Sequence, residues 1–141
     1  MTHFVLDASA ILRMTDAGPG ANRVRDLFQS AARGESELFI SAVNWGEIVY
    51  ALHKRSPKQA PLLQNNLSAL PMEVVGVDKG GAEDAALLKN TFQLPYADAF
   101  AAALARTLSV SGREPATLVT ADYDFKALPK GTLKIEFLPA K

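Results

Sequence analysis

Phe4-Val5-Leu6-Asp7-Ala8-Ser9-Ala10 sets three apolar residues in a row directly against a carboxylate. A short continuous apolar run, as opposed to an alternating one, is the pattern of a strand buried on both faces of a parallel sheet. Four further runs follow: Leu38-Phe39-Ile40, Val74-Val75-Gly76-Val77, Leu118-Val119-Thr120 and Ile135-Glu136-Phe137-Leu138. Helical patterns separate them. Pro19 reads as a first-turn residue of a helix that places Val24, Leu27, Phe28 and Ala31 on one face and stops near Gly34. Trp45, Ile48, Val49 and Leu52 fall at i, i+3, i+4 and i+7, the spacing of an apolar stripe. Ser56-Pro57 reads as the cap and first residue of a helix reaching Leu70, and Asp78 as the cap of one over residues 82–93. Pro95 opens the alanine-rich stretch from Tyr96 to Leu108. Strands alternating with helices predict an α/β fold, a single domain over residues 1–141 with a central, mostly parallel sheet of about five strands flanked by helices.

A chain of 141 residues makes one ordinary domain, and 48% hydrophobic against 21% charged residues argues against intrinsic disorder and coiled-coil arrays. Cysteine is absent, which removes disulfide scaffolds, thiolate zinc sites and thiol nucleophiles and suits a reducing cytoplasm. The apolar runs are far shorter than a membrane span, and no basic region at Met1-Thr2-His3-Phe4 leads into a secretory core. The expectation is a soluble, cytoplasmic protein without membrane contact. Its 15 basic and 15 acidic residues cancel, so no global field draws it to nucleic acid. If four of the acids neutralise a bound cation, the remainder carries a positive excess and can meet a polyanion.

Those acids follow from position. Asp7 directly follows the first predicted strand, and Asp122 lies two residues beyond Thr120 at the end of another. Ligands of open parallel sheets bind in the crevice beyond the carboxyl ends of the strands, so the two are candidates for one site. The plainer reading is that each caps the helix that follows it. Asp98 shares a helix face with Ala101, Ala102 and Ala105, small residues that let another backbone approach, which predicts an inward-facing acid. A buried carboxylate needs a partner, and a cation is one. Glu47 lies nearly opposite the Trp45/Ile48/Val49/Leu52 stripe, so periodicity alone places it in solvent. Carboxylates gathered in one crevice repel unless a divalent cation neutralises them, and hard oxygen ligands suit Mg2+ or Mn2+. Phosphodiester hydrolysis is chemistry that such a site performs.

The chain resembles PIN-domain proteins, and among them the VapC toxins of bacterial and archaeal toxin–antitoxin pairs, over nearly its whole length. Val5-Leu6-Asp7-Ala8-Ser9-Ala10 resembles the family's first strand and first acid, with Ser9 at its small hydroxyl position. Ser41-Ala42-Val43-Asn44-Trp45-Gly46-Glu47 resembles the segment of the second acid, and Leu94-Pro95-Tyr96-Ala97-Asp98-Ala99-Phe100 that of the third. Leu118-Val119-Thr120-Ala121-Asp122-Tyr123-Asp124-Phe125 resembles that of the fourth. The resemblance implies a metal-dependent endoribonuclease toxin with Asp7, Glu47, Asp98 and Asp122 around Mg2+ or Mn2+, an RNA substrate, a homodimer, and a VapB-like antitoxin laid across a groove. It raises Glu47 above its periodicity. It also puts both Asp122 and Asp124 near the site, Asp122 as ligand and Asp124 as auxiliary. Ser9 and Thr120 are auxiliary hydroxyls that orient carboxylates or water, or else bond locally to the backbone.

A metal-free ribonuclease would need histidine near neutral pH. His3 lies about 13 Å before Asp7 along an extended strand, and His53 about 9 Å beyond Glu47 along a helix. Neither is well placed. Arg13, just after the Asp7 turn, and Lys54 and Arg55 in the densest basic stretch are candidate RNA contacts, although basic residues also complement a helix C-terminus. Gly80-Gly81 lacks the spacing of a nucleotide-binding loop. The alternative class is a non-nuclease phosphoacceptor or protein-interaction domain. A receiver-like module would want a second acid beside Asp7, and a haloacid-dehalogenase-type phosphatase would want Asp where this chain has Ser9.

Overall fold

The computed structural model describes residues 1–110 and 115–141. The elements run β1 (Thr2–Leu6), α1 (Ala8–Thr15), α2 (Ala21–Ala32), β2 (Ser36–Ser41), α3 (Ala42–Arg55), α4 (Ala60–Ser68), β3 (Glu73–Val75), α5 (Lys79–Phe92), α6 (Tyr96–Val110), β4 (Thr117–Thr120), a 3-10 turn (Tyr123–Ala127) and β5 (Lys134–Phe137). All four strand pairings are parallel, in the order β3-β2-β1-β4-β5. Each of the five runs singled out in the sequence contributes a strand. β3 is the shortest, because Gly76 and Val77 lie beyond its end.

The unbroken apolar runs fill both faces of the sheet. Val5, Phe39 and Leu118 point to the side covered by α5 and α6, where Leu88, Ala99, Ala102 and Phe125 pack on them. Leu6, Leu38, Ile40 and Val119 point to the other side, under Ile11, Val24, Leu27, Ile48 and Leu52. Successive residues of a strand thus enter opposite cores, the arrangement that parallel crossovers demand.

Three local readings differ from the structure. Pro19 precedes α2, whose N-cap is Gly20 in a left-handed conformation (φ 88°). A Cβ there would sit 3.0 Å from that of Leu138, so both backbone and space call for glycine. Ser56 closes α3, its amide donating to the Leu52 carbonyl at 3.0 Å, and its own carbonyl accepts from the amides of Gln59 and Ala60. α4 begins only at Ala60, with Pro61 in its first turn. The third is α1, an eight-residue helix whose only sequence trace was Asp7 as a cap. Asp78 caps α5 as expected, accepting from the Gly81 amide at 2.8 Å.

Candidate metal centre

The strand order reverses between β1 and β4, which lie side by side. A crevice opens at the carboxyl ends of strands where the connections diverge to opposite faces. Asp7 leaves β1 into this crevice and Asp122 lies just past β4. Glu47 enters from α3 and Asp98 from the first turn of α6. These four carboxylates line one cavity of about 310 Å³ together with Ser9, Leu12 and Tyr50.

Asp7 is 2% exposed and fully engaged. Its Oδ1 accepts from the Ala10 amide at 3.0 Å, which caps α1, and from the Ser9 hydroxyl at 2.7 Å; its Oδ2 accepts from the Thr120 hydroxyl. Those hydroxyls also accept, Ser9 from the Ala121 amide and Thr120 from the Asp122 amide, each at 2.9 Å. The β1–α1 junction is thereby fastened to the end of β4 through Asp7, and Ser9 and Thr120 both bond to this acid. Burial pushes Asp7 up to about 6 from 3.8 against those hydrogen bonds, with a smaller push from the Asp122 charge.

Asp98 is 8% exposed, and its Oδ2 is buried without a hydrogen-bond partner. Ala101, Ala102 and Ala105, on the same face, are fully buried, so the small residues do turn this acid inward. Burial, then a hydrogen bond with Asp122, then the charges of Asp122, Asp7 and Glu47 raise it to about 8. Asp98, Asp122 and Asp124 each offer an oxygen, all within 4.8 Å of one another. Asp124 is exposed, and its amide donates to Asp122 Oδ1 at 2.9 Å, capping the 3-10 turn. It lies beside Asp98 and Asp122 at the exposed side of the cluster.

Glu47 is exposed, as periodicity predicts, but it is exposed into the cavity. Its Oε1 accepts from the Asn44 side-chain amide at 2.8 Å, and the same amide donates to the Ala97 carbonyl at 3.1 Å. Asn44 is fully buried, and nothing in the apolar periodicity singled it out; a polar residue one turn before the acid was the available signal.

The candidate RNA contacts are already engaged with the protein. The Arg13 guanidinium donates to the Pro19 and Pro139 carbonyls at 2.9 and 2.6 Å. Arg55 pairs with Asp16 at 2.7 Å, and the Lys54 ammonium sits 5.8 Å from the Tyr50 ring centre. Arg13 and Arg55 line a second cavity of about 510 Å³ that shares Ser9, Leu12 and Asp122 with the acidic one. His3 lies 3.6 Å from Glu37 and His53 bonds Gln64; neither lines the acidic cavity.

The chain is a five-stranded parallel α/β fold with helices on both faces of the sheet and carboxylates gathered at its topological switch point. The chain belongs to the PIN domain family, whose model matches residues 4–131. Among solved structures it is similar to VapBC2 from Rickettsia felis bound to a DNA fragment from its promoter, at 19% identity and a TM-score of 0.74 over 98% of this chain and 100% of that one. DNA-bound VapBC from Salmonella typhimurium matches at 17% identity and a TM-score of 0.68 over 97% and 98%. The sarcin–ricin-loop-cleaving toxin VapC20 of Mycobacterium tuberculosis matches at 18% and 0.64 over 88% and 93%. No curated protein matches by sequence.

Proposed function

We propose that the chain is a metal-dependent endoribonuclease and the toxin member of a toxin–antitoxin pair. The observation that carries this reading is the convergence of Asp7, Glu47, Asp98 and Asp122 on one cavity, with a buried Asp98 oxygen that has no partner and a proton held up to about 8. Such an acid is stabilised either by its proton or by a cation. The donors are all carboxylate oxygens, a set that fits Mg2+ or Mn2+. Asp98, Asp122, Asp7 and Glu47 would hold the ion, with Asp124 beside them. When bound, it would supply Lewis-acid stabilisation of a phosphoryl oxygen and an activated water.

The chain's own residues do the rest. Asp7 is held by two hydroxyls and a backbone amide, so its orientation is set before any ligand arrives. Asp98, whose proton is held up to about 8, would give it up to a cation bound in its place. Lys54, Arg55 and Arg13 flank the approach and would meet the backbone of an RNA strand. The family and the structural likeness to VapC chains support this reading and a VapB-like antitoxin as partner; a homodimer is part of the proposal. No helix among the described residues is long and apolar enough to cross a membrane; a cytoplasmic site of action is part of the proposal.

The test is cleavage of a panel of structured RNAs with Mg2+, Mn2+ or chelator. Metal-dependent internal cuts are expected. Cleavage unaffected by chelator, or transfer of phosphate to the protein, would overturn the reading. Light scattering at micromolar concentration is expected to give twice the 15.1 kDa chain mass.

A further inference from the structure

Asn44 is the most deeply buried polar side chain beside the acidic cavity that is not itself an acid or one of the hydroxyls on Asp7. It sits three residues before Glu47 on α3, one turn away on the same face. Its two contacts are both with acceptors, Glu47 Oε1 at 2.8 Å and the Ala97 carbonyl at 3.1 Å. The amide orientation is therefore fixed, since the flipped side chain would set its oxygen against two oxygens. Its own Oδ1 is buried and has no hydrogen-bond partner. A buried amide left half-satisfied costs free energy that an apolar residue of similar size would not. Packing alone does not account for asparagine here.

The geometry supplies another account. Glu47 has a flexible side chain on the exposed flank of α3, and its charge must come over the cavity to serve a cation. The Ala97 carbonyl belongs to the residue immediately before Asp98. One amide thus touches the Glu47 carboxylate and the backbone that carries Asp98, joining two acids that arrive on different helices. We propose that Asn44 is a positioning residue that holds the Glu47 carboxylate over the cavity and fixes its spacing to Asp98. This rests on the metal-site reading above. Glu47 would otherwise spend much of its time in solvent, as its periodicity implies, and the ion would lose a donor.

The test is a double-mutant cycle read by direct Mn2+ binding, using calorimetry without RNA. Asn44→Ala is expected to weaken Mn2+ binding about tenfold, the usual scale for removing a partner that orients a ligand. Glu47→Gln keeps an oxygen for Asn44 to bond but removes the charge; in that background Asn44→Ala is expected to leave the remaining Mn2+ affinity unchanged. Thermal unfolding in chelator reports the separate structural part, through the Ala97 contact, and is expected to fall equally in both backgrounds. Should Asn44→Ala fail to fold, Asn44→Ser keeps a hydroxyl in the pocket that stops about one bond short of Glu47 and carries the same cycle. Equal loss of Mn2+ affinity with and without the Glu47 charge, or no loss, overturns the positioning role while leaving the metal site intact. A wild-type chain that binds no Mn2+ overturns both readings.

Discussion

Asp98→Asn keeps the shape of the side chain and removes its charge, and the structure gives the consequence a sign and a size. Asp98 holds its proton up to about 8 where 3.8 is ordinary, chiefly through burial and then through Asp122. That difference corresponds to about 6 kcal/mol at about 1.4 kcal/mol per pH unit. The cavity mouth is open to water, which screens the charge, so about 2 kcal/mol is expected to reach the folding equilibrium. From about pH 4 to 8 the folded chain keeps a proton that the unfolded chain has released. The favourable contribution of this group is therefore full below about pH 4 and is lost as the pH rises through 8. Asp7, raised to about 6, adds a slope of the same sign at lower pH in both proteins and cancels in their difference.

In chelator the variant should nearly match the wild type at about pH 5 and exceed it by about 2 kcal/mol above pH 8. For a chain of this length that is a rise in Tm of roughly 6–8 °C. Saturating Mg2+ should reverse the order, since the wild type gains a ligand-bound state and the variant loses a donor. Circular dichroism melts across this pH range, with chelator and with Mg2+, measure both effects. A gap between the two proteins that does not change with pH, or a less stable variant above pH 8 in chelator, would refute the electrostatic account of this cavity.

Asp7→Asn should fold, because asparagine caps a helix nearly as well as aspartate, yet lose more than about 100-fold in RNA cleavage, beyond what an orienting partner usually costs; paired activity and melting assays check it. Thr120→Val removes the hydroxyl that donates to Asp7 and accepts from the Asp122 amide. It should cost about 2–3 kcal/mol in urea unfolding, and no loss would mean that water replaces the hydroxyl. Arg13→Ala frees the Pro139 carbonyl; amide exchange is expected to quicken at Leu138 and beyond, and RNA affinity measured alongside separates this anchoring role from a phosphate contact.

Much of the fold was legible because burial on both faces leaves a blunt signal. The runs around Val5, Phe39 and Leu118 contain no polar alternation, and only a sheet covered by helices on each side tolerates that. Boundaries near proline were less legible. Ser56-Pro57 has the composition of a helix start, but Ser56 was already engaged in ending α3, and Pro61 supplied the first-turn proline instead. Within the site, Asp7, Asp98 and Asp122 could be placed by strand ends and small-residue spacing. Glu47 could not, because periodicity separates buried from exposed and does not separate bulk water from the mouth of a cavity. Asn44 was hidden for the converse reason: its burial depends on α6, which packs beside it through Ala97.

The capping reading of the acids and the metal-site proposal are compatible in one arrangement. Asp7 caps α1 with Oδ1 and keeps Oδ2 for Thr120, while Asp122 caps the 3-10 turn, and Asp98 lies in the first turn of α6. Element starts therefore face the same crevice, their first-turn amides donating to the caps and the positive ends of their dipoles turned toward it. That field favours carboxylates where mutual repulsion opposes them. It is insufficient for Asp98, whose Oδ2 still lacks a partner and whose proton is retained to about 8. The helix starts thus help several acids to assemble in one crevice, and the shortfall at Asp98 is what the proposed cation would make good.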